Sequence, residues 1–165
     1  MDGEAVDRDT RIDLSSPELR KQRKVDQIII DSAIWSSVGG IVPIPFFDIA
    51  SVMAIQLKMI NELSYQYDIA FRQDLGKEVI MALLGGIMTD YLGKKTFSSL
   101  VTTFAVGSDF KQIATSLWAG VLTYAVGKVF QRHFESGGTL LNFKSSEYRD
   151  FYKEKLKEAP AMLKC

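Results

Sequence analysis

Four of the five residues from 20 to 24 are basic: Arg20, Lys21, Arg23 and Lys24. They stand shortly before an uncharged run at 32–47. Cations beside apolar residues suit anionic lipid headgroups, at up to ~1 kcal/mol each near a membrane surface. The same residues also suit the solvated opening turns of a helix, and the pattern alone leaves both readings open. If lipid is the partner, the cluster marks the cytoplasmic side. Residues that could attack a bond or move a proton are few. The single histidine, His133, lies in FQRHFES near an expected helix C-terminus, where a cation is favoured, so it reads as structural. Glu62, Asp90 and Glu135 adjoin apolar sequence, but none pairs with another acid. A GxSxG elbow is absent, as is GxxxxGK[ST]. The nearest approach to the latter, LGKKT at 92–96, lacks the upstream glycine, and Lys94 reads as a helix-end lysine. One histidine and one cysteine, Cys165, exclude a disulfide framework and a Cys/His metal cluster within the chain. The expectation is therefore non-enzymatic, with no catalytic residue, no cofactor and no metal.

With 20 basic and 20 acidic residues in 165, no net field favours nucleic acid, which is not expected as a partner. The opening MDGEAVDRD has no apolar core of a secretory signal, so the chain is expected to begin in the cytosol. Asp2 rules out myristoylation, and Cys165 has no following residues for prenylation. The longest uncharged runs, 32–47 and 112–127, have 16 residues each. As helices they would cover about 24 Å, short of a hydrocarbon core of about 30 Å. Spanning is not the default expectation.

These residues need elements to position them. Residues 1–17 read as a polar flexible tail, 18–160 as a single helical domain, and 161–165 as a short tail. A first helix begins at Ser16-Pro17-Glu18, where serine caps and proline suits the first turn. Its later part, SAIWSSVGGIVPIPFF, is apolar or small on every side and belongs in protein or in lipid. Pro43 and Pro45 break it, because each disfavours helix at the residue before it. Asp48 then falls in the first turn of a second helix, 47–66, where a carboxylate suits the positive end of the dipole. A short uncharged helix is expected at 96–106, and a helix ending near Glu135 is stopped by Gly137 or Gly138. A water-facing helix at 146–159 ends before Pro160, and TLLNF suits a brief extended segment. The fold class is all-α, a bundle of about six helices.

Two of those helices are related by a repeat. KEVIMALLGGIMTDYLGK at 77–94 aligns without a gap on KQIATSLWAGVLTYAVGK at 111–128, with six of 18 positions identical. Each copy carries small residues at helical spacing: Ala82, Gly86, Thr89, Gly93 and Ser116, Gly120, Thr123, Gly127. Glycine within a helix costs roughly 1 kcal/mol against alanine, so its repetition points to close helix packing. An up-down-up path would lay the copies parallel and face to face; otherwise each stripe receives another neighbour or a second copy of the chain.

Three stretches together resemble the domain-of-unknown-function family 697, the YcjF-like helical domain found with Era-like GTPases: IVPIPFFDIASVMAIQLKMINELSYQYDI, LLGGIM and LTYAVGKVFQRHFESGGTLL. The likeness covers roughly 25–158. The positions carried over are Pro43, Pro45 and Asp48 at the corner, Gln56, Gly86, Gly120 and Gly127. Phe46 departs from the small residue such domains carry after the second proline. The resemblance implies membranes and GTPases as partners but no activity for the helical domain itself. The expected function is a membrane-associated adaptor or oligomerisation module on the cytoplasmic side of the inner membrane, peripheral or partly inserted. Its partners would be lipid, a GTPase supplied in trans, or a second copy. The alternative is a soluble, cytoplasmic all-α interaction domain.

Overall fold

The computed structural model describes residues 16–39, 47–92 and 109–163. The corner prolines Pro43 and Pro45, Gly93 and the short helix expected at 96–106 lie outside the described residues.

Five α-helices are present among the described residues. Helix α1 spans Pro17–Gly39, α2 Phe47–Gln66, α3 Gln73–Leu92, α4 Asp109–Glu135 and α5 Arg149–Met162, with a 3-10 turn at Ser145–Tyr148 before the last. The fold is all-α. Helix α1 starts as the sequence requires: Ser16 Oγ accepts the backbone N–H of Leu19 at 3.3 Å, and Pro17, lacking an N–H, occupies the first position. Helix α2 begins at Phe47, which puts position 48 in its first turn.

Two helix ends close by the same device. The Gly138 N–H reaches the His133 carbonyl at 2.9 Å and the Gly137 N–H reaches Phe134 at 3.0 Å, with Gly137 at φ 81°. This pairing satisfies carbonyls that a helix end leaves free. At the end of α2 the Ile69 N–H reaches Ser64 and the Asp68 N–H reaches Tyr65, and Asp68 takes the left-handed position at φ 56°. Aspartate tolerates that region better than most side chains, so this stop carries no glycine signal in the sequence.

Helix α4 is the centre of the molecule, packed on α1, α2 and α5. From Gly120 to Gln131 every residue is buried or half-buried. A helix surrounded by protein is apolar on all sides, which accounts for the uncharged run there without any lipid. Opposite it, Val25, Ile29 and Ala33 of α1 are fully buried at intervals of four. Helix α3 buries Val79, Ile80 and Leu83 and packs on α2, the 3-10 turn and α5.

Three expectations are corrected. Helix α5 does not end before Pro160 but runs to Met162. Proline there costs one hydrogen bond near the helix end, and the Leu163 N–H still closes on the Ala159 carbonyl at 3.0 Å. Residues 139–143, TLLNF, form a turn rather than an extended segment, and Asn142 Oδ1 accepts the Thr139 N–H at 2.7 Å. The glycines of the second repeat copy do not pair with the first copy: Gly120 and Gly127 face α1. A Cβ at Gly120 would fall on Ser37 and within 2.7 Å of the Ala33 carbonyl, and one at Gly127 would lie 2.8 Å from Ile29. Helix α1 supplies small residues of its own at the crossing, which lets the backbones approach.

Candidate functional site

The face of α1 turned away from α4 is where charge, apolar surface and a groove meet. Arg20, Arg23 and Lys24 are exposed in its first half, Asp31 just past the middle, and Ile34, Trp35 and Val38 in its last turns. Trp35 keeps 66% of its surface, and Ile34 and Val38 keep 40% and 45%. The four basic residues are not equivalent. Lys21 Nζ lies 4.3 Å from the centre of the Tyr67 ring, and Arg23 Nε donates to the Leu19 carbonyl at 3.4 Å. Between α1 and α2 a groove of about 550 Å³ is lined by Ile28, Trp35 and Ile55 together with Lys24, Asp31, Lys58 and Glu62. Lys58 pairs with Glu62 across one turn at 3.5 Å, an exposed contact of small energetic weight.

A buried polar layer holds this face in register. Gln56 Nε2 donates to Thr123 Oγ1 at 3.3 Å, and Thr123 donates to Ser36 Oγ at 2.9 Å, linking α2, α4 and α1. All three residues are at most 1% exposed. Lower down, Lys128 Nζ bonds both Asp26 at 2.6 Å and Gln131 at 2.9 Å. The Tyr67 hydroxyl donates to Glu135 Oε1 at 3.1 Å. Burial, then the Glu135 charge, pushes the Tyr67 phenol well above its ordinary range.

The histidine is held rather than poised. His133 Nε2 lies 2.9 Å from the Thr139 carbonyl, which can only accept, so this nitrogen carries the proton. Nδ1 lies 2.9 Å from the Tyr148 hydroxyl, and Phe143 meets the ring edge-on at 5.0 Å. A side chain at Gly138 would fall on the imidazole. The motif HFESGG is thereby explained as a fastening of the 136–148 turn onto α4. His133 is 5% exposed, held by this bonding and packing in the last turn of α4.

Of the other sequence-predicted residues, Thr123 joins the polar layer, while Gly120 and Gly127 sit at the α1 contact. Ala82 is exposed, and a Cβ at the neighbouring Gly85 would meet nothing among the described residues, so the small side of this copy faces away from the core that Ile80 and Leu83 enter. Positions 48, 86, 89 and 116 lie on described helices, with no described side-chain environment. The sequence reading did not single out Trp35, Ile34 and Val38 as a surface, because SAIWSSVGG looks apolar or small all round. The available signal was the burial rhythm of Val25, Ile29 and Ala33, which leaves those three on the opposite side. Among the described residues no group of acids, histidines or cysteines could hold a metal ion, and no helix is long and apolar enough to cross a membrane.

A family described as a domain of unknown function (DUF697) matches residues 13–160. Magnetosome membrane protein 22 of Magnetospirillum gryphiswaldense is 36% identical over 138 residues, which cover 83% of this chain and 71% of that protein. No solved structure matches. The extent of the family match and of that relative agrees with the motifs read from the sequence, and the chain belongs to the DUF697 family.

Proposed function

We propose that this chain is a membrane-associated helical protein without a catalytic role. It acts as an adaptor or oligomerisation module and works with a GTPase supplied by another chain. The observation that carries the membrane part is the cluster Ile34, Trp35 and Val38, three large apolar side chains left exposed on adjacent turns of a helix whose opposite side is packed in the core. The 36% identical relative, whose name is that of a membrane protein, supports the same reading. The exposed cluster is small and no described helix suits a span, so the association is peripheral and from one side. The GTPase part rests on the family resemblance alone.

Cell fractionation tests the membrane part. Expressed without detergent, the chain is expected in the membrane pellet and to leave it in alkaline carbonate. A protein found wholly in the soluble fraction would overturn the reading in favour of a soluble interaction domain. Retention after carbonate would replace peripheral association with integral insertion.

A further inference from the structure

We propose that the outer face of α1 is an in-plane anchor for an anionic phospholipid surface, with Arg20 and Lys24 at the phosphates and Trp35 at the boundary with the acyl chains. This rests on the membrane reading above and names the surface and lipid class that reading leaves open.

At 100° per residue, Arg20, Lys24, Asp31, Ile34, Trp35 and Val38 fall within an arc of about 100°, all exposed. Val25, Ile29 and Ala33 point the other way into the core. Laid on a membrane, the whole arc meets the surface at once, with the cations at one end and the apolar residues at the other, about 27 Å apart at the extremes. Tilting the apolar end down buries it by the ~5–10 Å typical of interfacial helices, while the long basic side chains reach the phosphates. Tryptophan is suited to that boundary because its ring is apolar and its N–H needs a polar partner.

The contacts of the basic cluster select its members. Lys21 covers the Tyr67 ring and Arg23 bonds its own helix, whereas Arg20 and Lys24 lie on the arc. The groove of about 550 Å³ between α1 and α2 adjoins the arc, and Ile28, Ile55 and Trp35 line it together with Lys24 and Lys58. A lipid phosphate fits beside the lysines, and the glycerol and first methylenes fit the apolar lining. The exposed Lys58–Glu62 pair is weak enough to exchange for that phosphate. Asp31 is the one acid in the arc, and it lines the same groove as Lys58. A competing occupant is a second copy: in an antiparallel pair of α1 helices, Lys24 and Asp31 of one chain would oppose Asp31 and Lys24 of the other.

The two tryptophans allow a direct test on the full chain. Trp118→Phe leaves Trp35 as the sole reporter, read against vesicles of phosphatidylglycerol and phosphatidylcholine, with a phosphatidylcholine control. Sedimentation is measured in parallel. The expected result is a blue-shifted Trp35 emission, quenched by lipids brominated near the headgroup end of the acyl chain, in anionic vesicles only. Arg20→Gln with Lys24→Gln should weaken binding at least about tenfold at low salt, whereas Lys21→Gln should change it far less. Sedimentation with vesicles while Trp35 stays unquenched would overturn the anchor and leave the membrane reading standing. Failure to sediment with any vesicle would remove that reading too. A blue shift that follows protein concentration without lipid would overturn the anchor and assign the face to a second copy. Binding that is equal on neutral vesicles would overturn the anionic choice. Because Arg20, Lys21, Lys24 and Trp35 are exposed, their variants should keep the helical signal of the Trp118→Phe parent, and Trp35→Ala provides an independent loss of binding by sedimentation.

Discussion

At the scale of single residues, the buried polar layer depends on each of its three members. Thr123 both accepts from Gln56 and donates to Ser36 inside a buried three-helix crossing. Replacing it with valine keeps the shape and leaves Gln56 and Ser36 short of a partner. Thr123→Val should therefore cost about 1–3 kcal/mol in urea unfolding, whereas Ser36→Ala, Gln56→Leu and Thr123→Val combined should cost less than the single change. Tyr67 gives a pH prediction. Burial and Glu135 raise its phenol pKa from an ordinary 10.0, so above that pH the unfolded chain gives up a proton that the folded chain keeps. The stabilisation is complete below pH 10 and fades as pH rises beyond it. Lys155, raised by its hydrogen bond to Glu158, acts in the same direction. Ultraviolet titration should show a late tyrosine component that Tyr67→Phe reduces, the remainder belonging to Tyr124, whose phenol is also pushed up by burial.

Elements depend on how closely two backbones approach. Gly120 lies against Ala33 and Ser37, so Gly120→Leu should drive α1 from α4 and cost roughly 1–3 kcal/mol or more. Gly85 in α3, where a Cβ would meet nothing among the described residues, should respond in the opposite sense, with Gly85→Ala gaining up to ~1 kcal/mol through helix propensity. Thermal unfolding of the two variants separates a packing glycine from a merely exposed one, and equal effects would sink the distinction. Gly138→Ala should loosen the turn after α4, since the new methyl falls where the His133 ring lies. Near-ultraviolet dichroism around Phe143 and Tyr148 would report it.

For the molecule as a whole, the central position of α4 decides which apolar sequence is available to a partner. Its uncharged stretch is consumed by α1, α2 and α5 over the described part, whereas the end of α1 keeps an exposed apolar surface beside a groove. That arrangement makes the GTPase proposal testable apart from the membrane one. Crosslinking in cells should capture a GTPase, more strongly in one nucleotide state, and Trp35→Ala should weaken membrane association without abolishing that capture. Loss of both together would place the two partners on one surface.

Much of the architecture was legible in the residues themselves. Ser16-Pro17, the 47–66 helix and the Gly137-Gly138 stop are local chemistry, decided by caps, prolines and positive φ within a few positions. The stop at Asp68 and the continuation through Pro160 were not legible, since a tolerated left-handed aspartate and a late proline leave propensity undecided. Nor could the repeat say which helix its second copy would face: a small stripe accepts any narrow partner, and α1 provides one in Ala33 and Ser37. The fate of two similar uncharged runs was settled by position alone. The described part of one is wrapped on all sides in the middle of the bundle; the described part of the other, 32–38, lies at a boundary, where Ala33 and Ser36 meet the core while Ile34, Trp35 and Val38 stay open.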